Sequence, residues 1–179
     1  MTPVEHRTIG VAIALPEPVA GELAAWRSSV GDAQAGKVPP HVTLLPPTVI
    51  GCQALASVHR HLSDVAAARA PFEMHLHGTG TFRPISQVVF VTVANGIAHC
   101  ELLEAAVRSG PLTREVEFPY HPHVTVAHDV PAEMLDKAYE GLSDFDVRFA
   151  VDRFTEYEQD ADGRWTPVHD FGFGKARGA

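Results

Sequence analysis

The sequence predicts an α+β fold: one bilobal domain whose two pseudo-twofold-related lobes of antiparallel sheet, with outer helices, surround a central groove. Three observations carry that expectation. Short β-favouring runs alternate with helical stretches along the chain. Two of those runs read almost alike, Pro40-His41-Val42-Thr43-Leu44 and Pro122-His123-Val124-Thr125-Val126, in opposite halves of the chain. Each follows a proline and leads through a turn into a helix.

The elements follow in order. Arg7 to Leu15 ("RTIGVAIAL") is an apolar, β-branched run and reads as the first strand. Pro16-Glu17-Pro18 breaks it and opens a helix through Val30, because proline suits a first helical turn. Residues 31–40, rich in Gly, Pro and Ala, read as a loop. The first repeated strand runs from His41 to Thr48 and is closed by Pro46-Pro47. A helix over Cys52–Ala68 follows, with Leu55, Val58, Leu62 and Val65 forming one apolar stripe. Pro71–Phe82 and Gln87–Ala94 are the next strands, joined by a turn at Arg83-Pro84-Ile85-Ser86. The second of them ("QVVFVTVA") is apolar enough to be buried on both faces. Ile97–Arg108 reads as a helix with Leu102, Leu103, Ala106 and Val107 on its apolar side, ended by Gly110-Pro111. The second repeated strand spans Tyr120–Ala127, and a short helix over Pro131–Gly141 follows with Asp129 or the nearby backbone available as cap. Val147–Tyr157 and Trp165–Phe171 close the chain as strands around a turn at Asp160-Ala161-Asp162-Gly163.

A 19.3 kDa chain suits one domain, here residues 1–179, with a sizeable core. No apolar run reaches the ~18–20 residues that span a bilayer, so no membrane association is expected. The opening "MTPVEHRTIG" lacks a basic-then-apolar layout, which argues against a secretory signal and for a cytoplasmic location. Cys52 and Cys100 are the only cysteines and suggest neither a disulfide framework nor a zinc knuckle. The formal net charge of −8 argues against broad binding to a long polyanion, which needs many Lys and Arg contacts.

Side chains alternate along a strand, so residues i and i+2 share a face roughly 6.5 Å apart. His41 and Thr43 therefore point one way, and Val42 and Leu44 the other. His123 and Thr125 repeat the arrangement, with Val124 and Val126 opposite. The aliphatic residues fix each strand to a core, leaving the polar pairs to face solvent or, between two related lobes, a cleft. Two imidazoles there serve as one base and one acid near neutral pH. In-line displacement at phosphorus needs both: one proton leaves the attacking water and one reaches the departing oxygen. The threonine hydroxyls suit the non-bridging phosphate oxygens. The scheme calls for no cofactor and no metal.

The stretches "PPHVTLLPP" and "FPYHPHVTVAH", their separation, and the strand "QVVFVTVANG" leading into a helix between them resemble the 2H phosphoesterase superfamily. That group is named for two His-x-Thr motifs and includes bacterial 2′-5′ RNA ligase-like proteins. The resemblance implies a bilobal fold in which each lobe lends one motif to a central groove. It implies opening of a 2′,3′-cyclic phosphate to a 2′-phosphate. By the same transfer His41 is the proton donor to the leaving 3′-oxygen, His123 the base that activates water, and Thr43 and Thr125 the phosphate ligands. Many relatives carry a basic Arg or Lys shortly after the second motif, where this chain has His128. A phosphate role for His128 would lean activity toward mildly acidic pH.

Other residues are candidates for the groove. His121, two residues before His123, is placed at its edge. Arg83 sits in a turn from which a guanidinium reaches phosphate, and Phe82 and Tyr120 are candidates for stacking on a base. His75 and His77 share a strand face and offer half of a metal site, but no further ligand announces itself. Trp26 and Trp165 read as packing residues. The expected partners are RNA ends or small cyclic-phosphate nucleotides, with no obligate protein partner and a monomeric state. Ligation of 2′-5′ ends, with a 5′-hydroxyl in place of water, would use the same groups. An RNA- or nucleotide-binding module without catalysis is the alternative use of the groove.

Overall fold

The computed structural model describes residues 5–174. The strands are β1 (His6–Ala14), β2 (His41–Gly51), β3 (Phe72–Thr81), β4 (Val88–Asn95), β5 (His123–His128), β6 (Asp146–Val151), β7 (Arg153–Gln159) and β8 (Trp165–Gly172). The helices are α1 (Val19–Ser29), α2 (Leu55–Ala67), α3 (Ile97–Val107) and α4 (Ala132–Gly141). Two four-stranded antiparallel sheets result, with strand orders β2-β1-β7-β8 and β5-β4-β3-β6.

The two motif strands hold equivalent places. Each is the outermost strand of its sheet, and each pairs with the strand that precedes it through one helix: β1-α1-β2 and β4-α3-β5. The duplicated unit thus lies mostly upstream of each motif. The helices are exchanged between the sheets, with α1 packing against β5 and α3 against β2, and β2 and β5 meet between them. One continuous core runs through both sheets, drawing Val42 and Leu44 from β2 and Val124 and Val126 from β5.

Several elements differ from the sequence reading. β2 does not close at Pro46-Pro47 but continues to Gly51. The prolines fall where the ladder with β1 slips, between the pairs Val11–Leu45 and Ile9–Thr48, on an edge strand that can spare their N–H groups. β5 starts at His123, not Tyr120, since Pro122 has no N–H to give to the ladder. The run read as a single strand over 147–157 is two strands in different sheets, with the chain crossing at Asp152. On α3 the buried face is Cys100, Leu103, Glu104 and Val107, at helical spacing, and Leu102 is 56% exposed. Asp129 does not cap α4; among the described residues no side chain does, and Asp129 itself is in the left-handed region at φ 51°.

The likeness of the two motif strands extends beyond their shared letters. In each, the histidine and threonine are half-buried, the residue after each is buried, and the next is buried too. The consecutive buried pairs, Leu44-Leu45 and Val126-Ala127, coincide with a register slip against the neighbouring strand. A bulge of this kind twists the strand end away from the sheet and terminates the His-x-Thr face.

Candidate active site

Each motif histidine is held the same way. His41 Nδ1 lies 2.7 Å from the Pro39 carbonyl oxygen, and His123 Nδ1 lies 2.7 Å from that of His121. A carbonyl only accepts, so Nδ1 carries the proton in both rings and donates it. The Nε2 lone pairs remain for other work. In the first motif the Thr43 hydroxyl, 3.0 Å away, donates to His41 Nε2.

Aromatic rings seat both imidazoles, and glycines seat the rings. Trp165 stacks on His41 with ring centroids 4.9 Å apart. A Cβ on Gly10 of the neighbouring strand would come within 2.7 Å of the Trp165 ring, so glycine there lets the indole lie flat. In the other lobe Phe82 and Phe90 pack against His123 at 5.0 and 5.2 Å. A Cβ on Gly80, which pairs with Phe90, would approach that ring to 2.5 Å. The sequence reading had Trp165 as a packing residue; it is buried, and it also supports His41.

Burial pushes the His41 imidazole down to about 4, against the pull of the Pro39 carbonyl, and Arg27 and His123 add to the fall. Burial lowers His123 as well, opposed by its bond to the His121 carbonyl and helped by the His121 ring. Arg27, which nothing in the sequence pattern singled out, is buried on α1 in an ion pair with Asp32 at 2.8 Å.

A cavity of about 640 Å³ opens beside the motifs, walled by Thr43 from one sheet and His123 from the other. Three further sequence candidates line it: His121, Phe82 and Tyr120. Tyr120 also joins the lobes, its hydroxyl donating to the Thr43 carbonyl at 2.8 Å. Thr125 is half-buried on the strand face it shares with His123, but it and His41 are outside the cavity wall. Arg83 is also outside it, held by Asp136 at 2.8 Å. His128 lies at the end of β5, 45% exposed and 3.2 Å from Asp129, again outside the wall. Sequence reasoning missed Glu104, Arg108, Ile85 and Phe118, which do line it. Only the helical phase of α3 could have brought out Glu104.

His75 and His77 gain the third partner that the sequence left unnamed. Both converge on Asp146, His75 Nε2 at 2.9 Å and His77 Nδ1 at 3.2 Å. The three ligand atoms lie within 4.8 Å of one another and could hold a cation. They sit on β3 and β6, the side of their sheet away from the motif strand β5, and so take no part in the groove.

Comparison with known proteins places this geometry in a family. The model of the 2′-5′ RNA ligase superfamily matches residues 15–163. A candidate phosphoesterase from Bacillus thuringiensis is 29% identical over 148 residues, 80% of this chain and 84% of the relative. The crystal structure of Escherichia coli LigT with NADP+ superposes with a TM-score of 0.71 at 22% identity, over 96% of this chain and all of that one. Its apo form gives a TM-score of 0.70 at 21% identity, covering 96% and 99%. The two-lobed sheets, the paired His-x-Thr strands and the match over most of the sequence agree: this chain belongs to the 2′-5′ RNA ligase superfamily of 2H phosphoesterases.

Proposed function

We propose that this phosphoesterase opens nucleoside 2′,3′-cyclic phosphates, free or at RNA ends, to 2′-phosphates by two-histidine acid–base catalysis. The observation that carries the reading is the shared tautomer. Both rings spend Nδ1 on a backbone carbonyl two residues back, so proton transfer falls to Nε2 in each, which at His41 accepts from the Thr43 hydroxyl. In the reaction a water oxygen attacks phosphorus while its proton passes to His123 Nε2. The bond from phosphorus to the 3′-oxygen breaks, and that oxygen takes a proton from His41 Nε2. The product is a 2′-phosphate with a free 3′-hydroxyl, and proton exchange with solvent resets both rings. A 5′-hydroxyl in place of water would give a 2′-5′ linkage through the same steps.

The electrostatics of the two rings suit an anionic substrate. Both imidazoles are biased toward the neutral form by burial. A bound phosphodiester brings the opposite charge that favours an imidazolium at His41. Thr43 and Thr125, one on each side, hold the non-bridging oxygens. The cavity beside them takes the nucleoside, in keeping with crystal structures of LigT complexed with 3′-AMP, ATP and phosphate. The test is product identity. Adenosine 2′,3′-cyclic phosphate incubated in ¹⁸O water is expected to give adenosine 2′-monophosphate carrying one ¹⁸O on phosphorus. Exclusive formation of the 3′-monophosphate would overturn the assignment of the leaving oxygen.

A further inference from the structure

The cavity beside His123 and Thr43 has walls of unlike chemistry. Phe82, Ile85 and Phe118 make most of it apolar, yet Glu104 and Arg108 stand one helical turn apart on its α3 wall. Glu104 is only 8% exposed. Arg108 Nε lies 2.7 Å from Glu104 Oε1, but out of line for a hydrogen bond, and that Nε has no hydrogen-bond partner among the described residues. Among the described residues no other cation pairs with the Glu104 carboxylate. Burial raises Glu104 above the usual carboxylate range, and Arg108 opposes it. A shielded ion pair left short of hydrogen bonds is costly, and an unsatisfied group of this kind calls for an explanation such as a ligand that completes it.

The ligand that completes it has a definite pattern. The carboxylate offers two acceptors side by side, and the guanidinium next to it offers donors. The complementary edge carries two adjacent N–H donors followed by a carbonyl. Among the RNA bases only guanine presents it, through N1–H, N2–H and O6. Adenine and cytosine would set a ring-nitrogen lone pair against the carboxylate, and uracil would set a carbonyl there. We propose that Glu104 and Arg108 read the Watson–Crick edge of a guanine base seated in this cavity, so that guanosine is the preferred nucleoside of the cyclic phosphate substrate. Phe82 and Phe118 supply the faces on which such a base stacks. The assignment rests on the reading of the groove as a nucleoside cyclic phosphate site.

Binding of guanosine and adenosine 2′-monophosphates by calorimetry tests it without requiring turnover. The wild-type protein should bind the guanosine form about tenfold tighter or more, and Glu104→Gln should bring the two within about twofold, because one bidentate base contact is lost. Equal wild-type affinity, or a guanosine preference that survives in Glu104→Gln, would overturn the proposal. Turnover of the four nucleoside 2′,3′-cyclic phosphates separates it from the reading beneath it. Equal kcat/KM on all four would end the guanine assignment and leave cyclic phosphate hydrolysis standing. Guanosine-selective binding lost in Glu104→Gln, with no cyclic phosphate turned over, would uphold the assignment and end the hydrolysis reading.

Discussion

An imidazole that donates through Nδ1 to a carbonyl turns Nε2 toward the groove, and both motif histidines are held that way, with His41 Nε2 meeting the Thr43 hydroxyl. The carbonyl two residues back thus acts as an orienting group in each lobe, fixing tautomer and ring plane together. Burial then decides when each ring takes up a proton. A histidine whose value falls below its unfolded one stays neutral until the pH drops further, and both rings are lowered, His41 to about 4. In the free protein the proposed acid must hold a proton and the proposed base must not. Lowering both values moves the window for that combination toward acid. The kcat/KM profile, which reports on free enzyme, should therefore peak below about pH 6.5, the ordinary histidine value. The kcat profile should extend to higher pH, since bound phosphate supports the imidazolium. A kcat/KM maximum at pH 7.5 or above would contradict these electrostatics.

At the level of elements, the proposed site depends on strands that bring an aromatic ring beneath each imidazole. Trp165 comes from β8 and Phe90 from β4, and each lies where a glycine leaves room. Gly10→Ala would force the Trp165 ring off β1 and carry His41 with it. Overpacking of this kind costs about 1–3 kcal/mol, while a displacement near 1 Å at a catalytic group costs up to about 100-fold in rate. The expected result is a folded variant with a modestly lower midpoint of thermal unfolding and kcat/KM reduced about tenfold to 100-fold. Normal turnover in Gly10→Ala would remove Trp165 from the account. These arrangements also set the limit of what the sequence discloses. Val42, Leu44, Val124 and Val126 alternate with the motif residues, so the period alone assigns the faces of β2 and β5. The bulge after each motif is written as Leu44-Leu45 and Val126-Ala127, two apolar residues in a row, a signal visible only once the strands are aligned. Trp165 and Glu104 reach the site through tertiary packing, from a strand and a helix distant in sequence from the motif they adjoin. No local pattern announces such contacts. The break at Asp152 was hidden because β6 and β7 are both β-favouring and nothing like Gly or Pro punctuates them.

Across the whole molecule, the proposed site, shared by two sheets, requires that the sheets keep their separation. The exchange of α1 and α3 between them, the common core and the Tyr120 hydrogen bond to the Thr43 carbonyl all serve that end. Burial raises the Tyr120 hydroxyl, so it remains a donor at working pH. Tyr120→Phe should cost about 1 kcal/mol of stability in urea unfolding, the net worth of one buried hydrogen bond. No change in the unfolding midpoint would show that this link does not bear on the union of the lobes. The central claim is that two histidines, one from each sheet, act as a single proton-transfer unit without a metal. Residues that act as a unit show non-additive losses, because removing either one disables the other. The most direct measurement is kcat/KM on a nucleoside 2′,3′-cyclic phosphate in excess EDTA, for wild type, His41→Ala, His123→Ala and the double variant. The account predicts wild-type turnover indifferent to chelator, a loss of about 100- to 10,000-fold in each single variant, and no further loss in the double. Losses that multiply in the double variant, or wild-type activity abolished by EDTA, would contradict it.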